Sequence, residues 1–208
     1  MSKNLITTPV GRSEWMNIFK ADYKFDDAGL FGGKLHFDNT EAQGLMKQLD
    51  DLLEQSLEKA AEETGKPANK LRTNPPYEVD DETGDVTIKV KLKETVNGRN
   101  GSFTQKPKVF DSQQAPIAKE IPLWNGSRLR VSVTPVLYYT AMAGAGVSLR
   151  LYAAQIIEAL SSSDAADTTL FDKVDDGFTV DSQLAVEKEP GGVKATRDTG
   201  EEFDDVPF

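Results

Sequence analysis

From Val86 to Lys93 the chain alternates without interruption, with Val86, Ile88, Val90 and Leu92 on one side and Thr87, Lys89, Lys91 and Lys93 on the other. A period of two is that of a half-buried strand, here with one core face and one cationic face. Ser127 to Pro135 repeats the device, setting Leu129, Val131 and Val133 against Arg128, Arg130, Ser132 and Thr134. Val147 to Ile157 does so again, with Val147, Leu149 and Leu151 opposed to Arg150 and Tyr152. These three stretches are expected to be strands of one antiparallel sheet. Upstream, Trp15 to Tyr23 and Gly33 to Phe37 read as two shorter strands flanking a turn at Asp26 to Gly29. Trp15 and Phe19 are expected to point into the core.

Between the second and third of these strands the period changes to that of a helix, from about Thr40 to Glu63, capped by Asp38 or Asn39 and stopped at Gly65. Leu45, Leu49, Leu52, Leu53, Leu57 and Ala60 form its apolar stripe, which is expected to pack on the sheet or on a partner helix. Five strands with many turns predict a mainly β protein: an OB-fold, that is a five-stranded barrel, with one long α-helix inserted between strands. Periodicity alone permits a β-sandwich equally well. From Ser161 the composition turns to Ser, Asp, Thr, Glu, Gly and Lys, too polar to offset chain entropy by burial. The expected organisation is a domain over residues 1–160 and a disordered acidic C-terminal tail over 161–208, within which Phe171, Val174 and Phe178 are able to dock locally.

Charge changes this picture. The net charge of −10 argues against a polyanionic partner until its distribution is read. Residues 1–85 carry −7, Val86 to Ile157 carry +7 from 10 basic and 3 acidic side chains, and Ala159 to Phe208 carry −9. The predicted sheet is therefore a basic segment in an acidic chain. There is no cysteine, which removes disulfides, thiolate nucleophiles and cysteine-ligated metal sites, and fits a reducing cytosol. No apolar stretch approaches the roughly 18 residues of a membrane span, and Met1 to Gly11 lack the regions of a signal peptide, so a soluble, unexported protein without membrane contact is expected.

Catalytic chemistry finds little support. The single histidine, His36, has no second histidine or cysteine with which to share a metal, and a structural role is expected for it. No Gly-x-Ser-x-Gly elbow is present, and Gly144-Ala145-Gly146 lacks the lysine and spacing of a phosphate loop. The run Glu78, Asp80, Asp81, Glu82 and Asp85 offers carboxylates for magnesium, as in a nuclease using Asp80, Asp81 and Asp85; as a charge run it is also an ordinary solvated loop. No enzyme activity and no cofactor are expected.

What remains is a cationic sheet face with aromatic residues near it. Single strands of nucleic acid are held by cations that track phosphates and by aromatic planes that stack on bases. The candidate phosphate contacts are Lys89, Lys91, Lys93, Lys106, Lys108, Arg128, Arg130 and Arg150, and the candidate stacking surfaces are Trp124, Tyr138, Tyr139 and Tyr152, with Phe103 and Phe110 nearby. The plain alternative is that the lysines solvate an outer face while the aromatics fill a core. A rival from another class is an adaptor whose basic face recognises an acidic protein.

The chain closes on Glu201-Glu202-Phe203-Asp204-Asp205-Val206-Pro207-Phe208. This resembles the tail of bacterial single-stranded DNA-binding proteins, which end in acidic residues followed by Ile-Pro-Phe; Val206 replaces the isoleucine. By that resemblance Asp204, Asp205, Val206, Pro207 and Phe208 dock on replication or repair proteins. The remainder is similar to the single-stranded DNA-binding proteins of podovirus-type bacteriophages in the layout of residues 7–160: the Trp15 to Phe37 opening, the helix, Lys106-Pro107-Lys108-Val109-Phe110-Asp111, Leu123-Trp124-Asn125-Gly126-Ser127 and Gly146-Val147-Ser148-Leu149-Arg150-Leu151. The resemblance implies an OB-fold that binds single-stranded DNA without sequence preference in replication, recombination and repair. It also implies a homodimer in many members, tail contacts with a polymerase or helicase-primase, and residence in the cytoplasm of the infected bacterial host. Phage tails of this type commonly end in a plain acidic run and phenylalanine, so the Pro-Phe ending points to host partners as well.

Overall fold

The structure, a computed structural model, describes residues 4–24, 26–98 and 101–160. Three strands open the chain: β1 (Ile6–Thr7), β2 (Gly11–Asp22) and β3 (Leu30–Phe37). Helix α1 (Asn39–Thr64) and a 3-10 turn (Ala68–Lys70) follow, then β4 (Thr73–Asn74), β5 (Tyr77–Val79) and β6 (Val86–Lys93). A hairpin of β7 (Thr95–Gly98) and β8 (Gly101–Thr104) precedes β9 (Lys108–Phe110), and the long strands β10 (Arg128–Thr140) and β11 (Gly144–Glu158) complete the set.

Five of these strands close on themselves. β2 pairs with β3, β3 with β6, β6 with β11, β11 with β10, and β10 returns to β2 through Arg128 opposite Arg12 and Leu129 opposite Gly11. A five-stranded ring of this order is an OB-type barrel, and closure removes the open edges that a sandwich would leave. Alternation builds its interior: Phe31, Leu35 and Phe37 of β3, Val86, Ile88 and Val90 of β6, Leu129, Val131 and Val133 of β10, and Leu149 and Leu151 of β11 are all buried. The three basic stretches do not form one antiparallel sheet as expected. β10 and β11 are antiparallel, whereas β6 runs parallel to β11, with Leu149 opposite Val90 and Arg150 opposite Lys91. Barrel closure imposes that direction, which alternation within a strand cannot encode.

α1 packs against β10 and β11 through Ala42, Leu45, Leu49, Ser56 and Ala60, with Leu52 and Leu53 partly buried at the margin. Ser56 Oγ lies 2.9 Å from the carbonyl oxygen of Gly146 and 3.1 Å from that of Tyr138, which fixes the helix against the turn end of the β10–β11 hairpin. At 1.5 Å per residue α1 is about 39 Å long, and it ends at Gly65 in the left-handed conformation. No helix among the described residues is long and apolar enough to cross a membrane.

Candidate nucleic-acid interface

Because Val86, Ile88, Val90 and Leu92 are committed to the core, β6 must turn Thr87, Lys89, Lys91 and Lys93 outward, and the last three are exposed. Neighbouring strands extend the row sideways. Lys34 of β3 stands opposite Lys89, and Arg150 of β11 beside Lys91. On this face lies a cleft of about 560 Å³, lined by Lys34, Lys89, Lys91, Tyr138 and Ser148, with Asn74 to Glu78 forming one wall. That wall is built by β4 and β5, which pair with the start of β11 and the start of β6 respectively. Tyr138 is held in place: its hydroxyl accepts a 2.5 Å hydrogen bond from Asn74 Nδ2, and its ring lies across Gly146. A Cβ at Gly146 would meet the Tyr138 hydroxyl at 2.5 Å, so a side chain there would displace the tyrosine ring from its present position.

Not every cation here is free to meet an anion. Lys34 Nζ lies 3.0 Å from Glu14 Oε2, which His36 Nε2 also approaches at 3.0 Å, and Lys93 Nζ lies 2.8 Å from Asp26 Oδ2. The Lys34 hydrogen bond, and then that of His36, hold the Glu14 carboxyl below its ordinary range; Lys93 and the Ala28 N–H do the same for Asp26. Among the described residues, Lys89, Lys91, Lys106, Lys108 and Arg150 have no carboxylate partner. The other ring nitrogen of His36 lies 2.9 Å from Thr87 Oγ1, so this histidine ties β2, β3 and β6 together on their outer side.

β11 carries the row out of the cleft. Past Ser148 and Arg150, the ammonium of Lys108 sits 5.4 Å from the centre of the Tyr152 ring, within cation–π range. Further on, Arg130 Nε donates to Gln155 Oε1 at 2.8 Å, while Gln155 Nε2 lies 2.9 Å and 3.1 Å from the carbonyls of Asp111 and Ser112. Arg130, Gln155 and Phe110 line a second cleft of about 400 Å³. Arg128 stands apart, in a third cleft of about 280 Å³ with Arg12, Asp38 and Glu41. Tyr139 alternates with Tyr138 and so faces the opposite side of β10, away from the lysine cleft. Lys106 is exposed in the stretch before β9, which Gln105 ties to the end of β6 by a 2.9 Å bond from Nε2 to the Lys93 carbonyl. Trp124 is 46% exposed on the turn that precedes β10. The tail residues Asp204, Asp205, Val206, Pro207 and Phe208 lie outside the described residues.

Trp15 corrects an expectation. Instead of entering the core it is 70% exposed, because a register shift in β2 between Glu14 and Asn17 reverses the alternation and sends Met16 and Ile18 inward. Phe19, by contrast, is partly buried against the core. Lys34, Asn74 and Tyr77 also line the main cleft and were not among the sequence candidates. For Lys34 the signal was present, since it alternates with Leu35 as His36 does with Phe37. For Asn74 and Tyr77 there was none, because Pro75 and Pro76 mark the segment as a loop. The acidic run is a tight turn: Asp80 Oδ1 accepts the N–H groups of Glu82 at 2.9 Å and Thr83 at 2.8 Å, and these bonds, Thr83 first, hold its carboxyl below the usual range.

The closed barrel with a long helix between its second and third strands is a fold that the chain shares with solved single-stranded DNA-binding proteins of bacteriophages. The chain is similar to gp2.5, a single-stranded DNA-binding protein encoded by bacteriophage T7, with a TM-score of 0.67 and 23% identity over 80% of this chain and 97% of that one. It is similar as well to the single-stranded DNA-binding protein of bacteriophage Enc34, in a C-terminally truncated form (TM-score 0.54, 11% identity, 77% of this chain and 93% of that one). The Enc34 protein in complex with single-stranded DNA gives a TM-score of 0.52 at 13% identity, over 77% and 94%. These likenesses establish the fold. No family model matches the sequence, and no curated protein matches it significantly.

Proposed function

We propose that the chain is a sequence-nonspecific single-stranded DNA-binding protein of phage replication, recombination and repair, and not an enzyme. The observation that carries the proposal is the row Lys89, Lys91, Arg150 and Lys108 beside the Tyr138 cleft, without carboxylate partners among the described residues, on a fold that in the Enc34 protein accompanies single-stranded DNA. Phosphates lie on that row, and bases enter the cleft or meet Tyr152. Arg130 and Phe110 line the second cleft further along β11, where Gln155 engages the Arg130 guanidinium, while Arg128 and Tyr139 are turned away from the row. Under the same proposal residues 1–160 form the DNA-binding domain and 161–208 the acidic tail. The tail recruits replication or repair proteins, polymerase or helicase-primase, through Asp204 to Phe208. Homodimer formation and residence in the host cytoplasm belong to the proposal too.

The test is fluorescence anisotropy of labelled oligo-dT against protein concentration at two salt levels, with a duplex of equal length as control. Binding that prefers the single strand and weakens with salt supports the proposal. No binding at low salt assigns the basic face to an acidic protein instead.

A further inference from the structure

Trp15 occupies a backbone that suits it badly. Its φ is +51°, in the left-handed region, which is costly for any residue with a Cβ and least suited to a bulky one. The conformation is enforced by a lock. Trp15 N–H donates to Asn125 Oδ1 at 2.8 Å, Gly126 N–H to the Ser13 carbonyl at 2.8 Å, and Ser13 N–H to the Ser127 carbonyl at 2.9 Å. The same lock fastens the turn that carries Trp124, so both tryptophans of the chain are exposed on segments bonded directly to one another. Neither packing nor stability accounts for Trp15: most of its surface faces solvent, and glycine would sit in this backbone without strain.

Its position in the sheet is informative. β3 separates β2 from β6, with Glu14 opposite Lys34 and Asn17 opposite Gly32, and Gly32 in turn opposite Lys91. Gly32 has φ +132°, and a Cβ there would fall 2.0 Å from the Val90 carbonyl oxygen. The β3 position between the bulge and Lys91 is therefore bare, and two strand spacings separate them, about 10 Å.

We propose that Trp15, with Trp124 beside it, is a second base-stacking platform, on the opposite side of the lysine row from the Tyr138 cleft. It takes unpaired nucleobases of a strand whose phosphates rest on Lys89 and Lys91. The proposal rests on the single-stranded DNA reading and adds to it a site on β2, reached across β3.

The test uses the full chain, oligo-dT and a series of salt concentrations. Trp15→Gly is expected to leave the melting temperature unchanged or raised, because it relieves the backbone, while weakening binding about tenfold at every salt. The slope of log affinity against log salt stays as in the parent, since no phosphate contact is lost; Lys91→Ala, by contrast, shallows that slope by about 0.7. In Trp124→Phe, where Trp15 is the only tryptophan left, oligo-dT quenches the emission. Parental affinity in Trp15→Gly, or unquenched emission in Trp124→Phe, overturns the platform and leaves the DNA-binding proposal standing as long as the parent binds. A fall in melting temperature of Trp15→Gly also overturns it, because Trp15 would then serve structure. If the parent itself fails to bind oligo-dT, both readings fall together.

Discussion

Replacing Lys89 and Lys91 together by alanine tests the interface at its centre. Lys34 and Lys93 are already neutralised by Glu14 and Asp26, which leaves Lys89, Lys91, Lys106, Lys108 and Arg150 to displace counterions from a bound strand. With one phosphate for each of these five, and about 0.7 per phosphate for single strands, the parent's slope of log affinity against log salt is about −3.5. A fourfold rise in salt, from about 50 to 200 mM, then weakens binding about 130-fold. The double variant keeps three contacts, so its slope is about −2.1 and the same rise costs it only about 18-fold. Both lysines are exposed and unpaired among the described residues, so stability is expected to stay within about 0.5 kcal/mol of the parent. Anisotropy titrations of oligo-dT at four salt concentrations, with urea unfolding as the control, measure both quantities. An unchanged slope in the double variant would refute the placement of the strand, even if its affinity fell.

Other perturbations probe the surroundings of that row. Gly146→Val drives a side chain into the space of the Tyr138 ring and breaks the Asn74 bond, so it is expected to destabilise by about 1–3 kcal/mol in urea unfolding and to weaken DNA binding as the cleft distorts. Glu14 has a folded-state pKa depressed below its ordinary 4.5, so its ion pairs with Lys34 and His36 contribute stability that is present above that value and lost as pH falls through the folded pKa. Glu14→Gln should accordingly flatten the fall in melting temperature below about pH 4.5 that the parent shows, with little change in shape near neutrality. Deleting 159–208, which carries −9, is expected to tighten oligo-dT binding at low salt and to abolish capture of replication proteins, because a segment of that charge competes with DNA for the same cations. Equal low-salt affinity in the truncated and full chains would eliminate that competition.

Much of the fold was legible because its information is local. The strand over Val86 to Lys93 follows from alternation alone, with the bounds observed, and α1 from a change of period between Asp38 and Gly65. Non-local features were not legible. Alternation assigns a face to Arg128, Arg130 and Arg150 but gives no position around a barrel, and the first two lie in clefts distinct from the lysine one. The wall of that cleft was hidden because Asn74 and Tyr77 flank two prolines, and strands of two or three residues leave no period to detect. Trp15 was placed wrongly because a single inserted residue inverts every inference from period two, and the bonds that stabilise the insertion come from Asn125 and Ser127, over a hundred positions away.

The pairing of charges also constrains how a bound strand is oriented. A row along β6 alone would guide the strand parallel to that β-strand, from Lys89 past Lys91 to Lys93. The carboxylates oppose that course: Asp26 compensates Lys93 at one end, and Glu14 compensates Lys34 beside Lys89. Both acids have their pKa values held down by these contacts, so they are ionised near neutral pH. Among the described residues, the uncompensated positive charge of β6 is thereby left to Lys89 and Lys91, and it continues through Arg150, the register neighbour of Lys91, to Lys108 over Tyr152. A polyanion follows that potential, which under the proposed function crosses the barrel from β6 onto β11. Exchanging Asp26 for asparagine would free Lys93 and add a competing cation on the β6 course. Tighter binding with a steeper salt slope in Asp26→Asn is the expected sign that this carboxylate now holds the strand to the β11 route; an unchanged slope would mean that Lys93 lies beyond the strand's reach whether or not it is paired.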